Sequence, residues 1–277
     1  MADDPAELRL EAEKWLDELR AKKLKLNRHL FLVPGITDET AECWRWIDLW
    51  GSSVIADWGD ASRTIISFAQ LGNGGHSQAT FVDFGDYVRR RIAQVVGSPG
   101  QSNVAQFDVV CHSMGGLDSV AALVPLLGQY DYSNIPIPRP RYLITLDTPF
   151  RGVQNWKIRC ARGDVADQAW PGRPTQCQAL APGSPQLDAL LQNRNALSGT
   201  VDHVVCMSAD RELPIEVDWP SSDLWSDGDP DGAWGGATSY HAQMIPGTCH
   251  SGIGGITWSP ITIAQIFNFL LFTPTTG

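Results

Sequence analysis

Residues 107–116, FDVVCHSMGG, restrict this chain more than any other stretch. The run 107–111 is apolar except for Asp108, which suits a buried strand and is too short for a helix of its own. His112 and Ser113 follow with no spacer, and Met114 opens an apolar segment, 114–128, that reads as a helix. A strand that becomes a helix within two residues makes a sharp turn. Gly115 and Gly116 remove the side chains that would keep the helix start away from the strand. Such a strand–turn–helix lifts the serine Oγ clear of the sheet end.

The rest of the 277-residue chain repeats the same grammar. Short apolar runs at 29–33 (HLFLV), 53–57 (SVIAD), 142–146 (YLITL), 203–207 (HVVCM) and 240–245 read as strands. Helix-period stripes lie between them. One covers 38–50, one runs from Phe81 through Phe84, Val88, Ile92 and Val95 to Gly97, and one covers 259–272 with Ser259 as cap and Pro260 in the first turn. Continuous apolar strands separated by helices predict a mostly parallel sheet of about six strands, covered on both faces. Residues 1–25 hold 13 of the charged residues, with Leu8, Ala12, Trp15, Leu16 and Leu19 at helical spacing. They read as an amphipathic helix lying on the main body. Two stretches break the alternation: 151–184, rich in Gly, Pro and Arg, and 214–236, with six acids and no base. The expectation is one α/β domain over 1–277, with 1–25 as the added helix and 151–184 as a lid-like insertion.

Several landmarks occur in an order that resembles the α/β-hydrolase superfamily, in particular its small bacterial lipases and esterases of the lipase B-like branch. Leu32-Val33-Pro34-Gly35-Ile36-Thr37 is similar to the loop after the first core strand, and Ser113 to the nucleophile at the elbow, with Cys111 where the motif has Gly. Leu146-Asp147-Thr148-Pro149-Phe150-Arg151-Gly152 is similar to a G-T-P-H-R-G turn, and 181–187 (APGSPQL) to the run before the acid-bearing strand. Ser208-Ala209-Asp210 resembles the S-A-D that follows that strand, and Cys249-His250-Ser251-Gly252-Ile253 the catalytic-histidine loop. The resemblance runs from about residue 29 to the C-terminus. It implies an α/β-hydrolase fold, a serine carboxylester hydrolase and an oxyanion hole made by the backbone N–H groups of Ile36 and Met114.

A serine hydroxyl is a weak nucleophile at neutral pH and needs a base, which in turn needs an acid to orient it. Three histidines follow Ser113: His203 and His241 within apolar strands, and His250 in a loop after the last strand. His250 is the expected base. His112 adjoins the serine, and neighbouring residues point apart. Four acids are candidates. Asp210 ends the strand HVVCM and is preferred, because a strand end holds a carboxylate rigidly. Asp227 and Asp231 each precede a glycine in the acidic loop, and Asp147 follows YLITL. The expected set is therefore Ser113, Asp210 and His250. Acyl transfer or amide cleavage by the same residues, or a non-catalytic binding role, are the alternatives.

Net charge is −10, from 21 basic and 31 acidic residues. Such a surface disfavours nucleic acid as a partner. The first ten residues carry no secretory apolar core, and no apolar run reaches the ~18 residues of a membrane span. A small-molecule or lipid ester is the expected substrate, with transient contact at a lipid interface compatible with an apolar lid. No cofactor and no metal are expected: 227–232 (DGDPDG) begins like a calcium loop, but Thr238 stands where a bidentate Glu belongs. Among six cysteines, Cys160 and Cys177 flank a loop-like stretch and are the best disulfide pair for an oxidising compartment.

Overall fold

A computed structural model describes residues 4–23, 26, 28–35, 65–67, 79–97, 106–153, 174–211, 219–225, 239–250 and 255–272. In chain order the elements are α1 (Pro5–Ala21), β1 (His29–Val33), β2 (Ile65–Ser67), α2 (Phe81–Val96), β3 (Phe107–His112), α3 (Met114–Leu123), β4 (Tyr142–Leu146), α4 (Pro174–Ala179), α5 (Pro185–Asn193), β5 (His203–Ala209), α6 (Trp219–Ser222), β6 (Ser239–Ile245) and α7 (Pro260–Phe272). The six strands form one sheet in the order β2-β1-β3-β4-β5-β6, and every neighbouring pair is parallel. Strand β2 falls where no apolar run suggested one. The expected strand at 53–57 and helix at 38–50 lie outside the described residues.

Period-two alternation divides β1, β3, β4 and β5 between two cores. Phe31, Val33, Phe107, Val109, Cys111, Leu143, Val204 and Cys206 face the core built with α2, α3 and α5. Leu30, Leu32, Val110, Ile144, Leu146, Val205 and Met207 face the core built with α1 and α7. Covering both faces is what allows the strands to be apolar throughout. Cys111 and Cys206 are unbridged and fully buried, and burial pushes the Cys206 thiol up to about 11, so both act as packing groups. The suggested Cys160–Cys177 pairing lies outside the described side chains.

The helix ends follow local chemistry. Asp4 caps α1 by accepting from the Ala6 N–H, with Pro5 in the first turn. Thr80 and Asp83 form a reciprocal capping box on α2, and Gly97 ends it. The helix after Ser113 stops at Leu123, five residues before the sequence suggested. Val124 is extended (φ −124°, ψ 122°) because it precedes Pro125, whose ring excludes the helical conformation at the residue before it. Helix α1 buries Ala12, Leu16 and Leu19 and sets Trp15 against Phe272 of α7, ring centroids 6.0 Å apart. Arg28 joins α7 to the sheet: its Nε meets Asp108 at 2.9 Å and its Nη2 donates to the Leu270 carbonyl at 2.7 Å. No described helix is long and apolar enough to cross a membrane.

One core group is chemically out of place. Asp118 of α3 is buried, its Oδ1 has no hydrogen bond, and desolvation raises its carboxyl well above the usual carboxylate range. The native state therefore keeps this proton at pH values where the unfolded chain has released it. Stability attached to the group is complete below about pH 4 and falls as pH rises. Asp118→Asn removes that titration. Thermal unfolding across pH should show the variant gaining about 1–3 kcal/mol over wild type at pH 8, with the gap closing towards pH 4. A gap independent of pH would contradict this reading.

Candidate active site

Ser113 occupies the turn between β3 and α3 with φ 54° and ψ −130°, a backbone geometry that costs a non-glycine residue about 1–3 kcal/mol. Its N–H donates to the Leu146 carbonyl at 2.9 Å, which ties the turn to the end of β4. The next two residues must lack side chains. A Cβ on Gly115 would sit 2.4 Å from the Val33 and Pro34 carbonyl oxygens, and one on Gly116 would sit 2.0 Å from Thr148 Oγ1. The start of α3 is thus wedged between the end of β1 and the turn after β4. Ser113 stands at the N-cap position, yet its hydroxyl caps nothing in the helix. The Oγ lies instead 3.0 Å from His250 Nε2.

The other imidazole nitrogen, Nδ1, lies 2.7 Å from Asp147 Oδ2. A carboxylate only accepts, so Nδ1 carries the hydrogen, and a neutral ring then leaves Nε2 as the acceptor for the Ser113 O–H. Asp147 is 1% exposed, and its second oxygen accepts from the Ala209 N–H at 3.2 Å. Its own N–H donates to the Met207 carbonyl at 2.7 Å. Asp147 is therefore fixed on both sides and aimed across the end of the sheet at His250. The arrangement can withdraw a proton from Ser113 and hold the resulting imidazolium against a buried carboxylate.

Asp210, expected to orient His250, has a different partner: its Oδ1 accepts from the Thr248 N–H at 3.0 Å. Sheet register gives the reason. His112, Leu146 and Met207 are level across β3, β4 and β5, so Ser113, Asp147 and Ser208 follow as the next row. Asp210 lies two residues further along, about 6–7 Å at strand rise. There β5 has outrun β4 and pairs only with β6, through Ala209 and Ile245. Asp210 thus reaches the turn after β6 and supports the loop that carries His250. The same strand-end reasoning that favoured Asp210 applies to Asp147, which directly follows the fully buried strand YLITL. That strand pairs directly with the serine-bearing one.

Met114 is the first residue of α3, where helix geometry leaves the N–H without an intrahelical acceptor. Ile36, Asp227, Asp231 and the 227–232 loop lie outside the described residues. Of the 151–184 insertion, 154–173 is outside. Its two ends are packed down: the Val153 N–H donates to the Leu180 carbonyl at 2.9 Å, and the Arg151 N–H donates to Ser221 Oγ at 3.2 Å. Among the described residues, no group of three His, Cys, Asp or Glu side chains is placed to hold a metal ion.

The two readings of the acids separate by substitution. Asp147→Asn should lower about ten-thousand-fold the kcat of any reaction in which His250 activates Ser113, because the amide reverses the ring tautomer. Asp210→Asn keeps an oxygen acceptor for the Thr248 N–H and should stay within about tenfold of wild type, since the bond is weakened and not lost, a change of no more than about 1.5 kcal/mol. Steady-state kinetics on the two purified variants decide the matter, and the reverse ranking would restore Asp210 as the acid.

No protein-family model and no curated protein matches the sequence. Solved structures do. Phospholipase PlaB from Legionella pneumophila superposes with a TM-score of 0.63 at 13% identity, over 90% of this chain and 61% of that one. PlaB in complex with thio-NAD gives 0.65 at 13% identity, over 90% and 59%. The product of gene lin2722 from Listeria innocua gives 0.54 at 17% identity, over 90% and 96%. The chain spans about three fifths of the length of PlaB. At these identities the likeness concerns the fold. Together with the parallel sheet and the strand–Ser113–helix turn, it establishes that this chain has the α/β-hydrolase fold.

Proposed function

We propose that the protein is a serine hydrolase acting on carboxylic esters, of small molecules or of lipids. The observation that carries this reading is the hydrogen-bonded chain from Ser113 Oγ through His250 to Asp147, built on a strained turn at the end of a parallel sheet. His250 Nε2 takes the hydroxyl proton as Ser113 Oγ bonds to the acyl carbon. The resulting oxyanion is held by the N–H of Met114 and, from the loop after β1, by that of Ile36. Collapse of the tetrahedral intermediate expels the alcohol, which receives the proton from His250. Water then repeats the sequence on the acyl-enzyme, with His250 again as base, and releases the acid and free Ser113. The fold neighbour that is called a phospholipase agrees with a lipid ester.

A fluorophosphonate probe should label the wild-type protein on Ser113 and leave Ser113→Ala unlabelled. Against a series of nitrophenyl esters of increasing chain length, Ser113→Ala should lose about a million-fold in kcat at unchanged thermal stability. A Ser113→Ala variant within tenfold of wild type would overturn the assignment. The chain length giving the highest kcat/KM reports the depth of the acyl site.

A further inference from the structure

His112 takes no part in the proton chain, and it is 2% exposed. As the last residue of β3 it follows Cys111, which faces the α2–α3 core, so the alternation of the strand turns His112 away from that core. Its Nε2 lies 2.9 Å from the backbone carbonyl oxygen of His250. A carbonyl can only accept, so Nε2 of His112 carries the hydrogen and donates. The two imidazoles lie together, ring centroids 4.8 Å apart and planes tilted by 38°.

The loop that holds His250 is fastened at several further points. Asp210 takes the Thr248 N–H at 3.0 Å, the Arg211 N–H donates to the Thr248 carbonyl at 2.9 Å, and the Ile256 N–H donates to the Cys249 carbonyl at 2.7 Å. These hold residues 248 and 249. The contact from His112 acts on His250 itself, and it comes from the residue bonded to Ser113. One short stretch of β3 therefore fixes both ends of the Ser113–His250 hydrogen bond: the serine through the turn, and the histidine through its own main chain.

We infer that His112 is a positioning residue for the reaction, its Nε2–H holding the His250 main chain at the distance and angle that let the base reach Ser113 Oγ. The inference rests on the serine hydrolase reading above. A displacement of about 1 Å at a reacting group costs on the order of a hundredfold in rate. The lost donor should therefore appear in kcat, because substrate binding does not depend on the angle of the imidazole.

Two variants separate the donor from the ring. His112→Phe keeps a flat ring of similar size beside His250 and lacks the N–H. His112→Gln lacks the ring and keeps an amide N–H that reaches the same carbonyl. With a nitrophenyl ester, His112→Phe should lose ten- to a hundredfold in kcat with KM within about twofold. His112→Gln should recover to within about threefold of wild type. Folding is followed by thermal unfolding of each variant. A folded His112→Phe with wild-type kcat would overturn the inference, as would a folded His112→Gln that stays a hundredfold low. If His112→Phe does not fold, the His112→Gln result alone decides, on the same limits. A wild-type protein that neither hydrolyses the ester nor reacts with the fluorophosphonate overturns the hydrolase reading and this inference together. An active wild type with an indifferent His112→Phe overturns this inference alone.

Discussion

The parallel register of β3, β4 and β5 is the constraint from which the site follows. Parallel neighbours bring their C-terminal ends to one edge, and the first residues beyond that edge form a row. Ser113 and Asp147 are adjacent in it, linked by the bond from the Ser113 N–H to the Leu146 carbonyl. Asp147 is bound in the same way to β5 through the Met207 carbonyl. Ser113 and Asp147 are thereby set by the sheet. Only His250 arrives on a loop, and Asp210 and His112 hold that loop to the same edge. Gly115 and Gly116 make this possible, since a Cβ there would force α3 away from β1 or from Thr148 and carry Ser113 with it.

Burial shapes the electrostatics of this row. Asp147 is almost fully shielded, so its charge depends on the His250 Nδ1–H and the Ala209 N–H for the solvation it has lost. A carboxylate in such surroundings acts strongly on an adjacent imidazolium. His250 remains partly open, its side chain 16% exposed. The contrast with Asp118 is instructive. It lies on the helix that Ser113 begins, but no donor meets its Oδ1, and burial raises its carboxyl well above the usual carboxylate range. Both oxygens of Asp147 thus have partners, whereas Oδ1 of Asp118 has none.

Much of this was legible in the sequence. The five apolar runs that fall within the described residues are strands, and those of β1, β3, β4 and β5 stand out because a strand covered on both faces is apolar along most of its length. Ser113 could be picked out because its turn needs the doubled glycine, and His250 because the other downstream histidines lie in β5 and β6. The carboxylate that meets His250 was harder to pick out, for a physical reason. Asp147 and Asp210 both end apolar strands, and only the relative reach of β4 and β5 separates them. Strand overhang is set by how β6 pairs, which no local pattern encodes. Strand β2 was equally hidden, because three residues are too few to carry a period. The end of α3 was readable in principle, because Val124 precedes a proline.

The arrangement at the sheet edge is tested most directly by the hydrogen on His250 Nδ1. In protein labelled with nitrogen-15 at histidine, that hydrogen should give a strongly downfield-shifted proton resonance coupled to Nδ1, as expected of a short charge-assisted bond to a shielded carboxylate. The account predicts that this resonance disappears in Asp147→Asn and persists, little moved, in Asp210→Asn. Its survival in Asp147→Asn with loss in Asp210→Asn would contradict the account, placing the acid on β5 and the row at the end of β4 outside the chemistry.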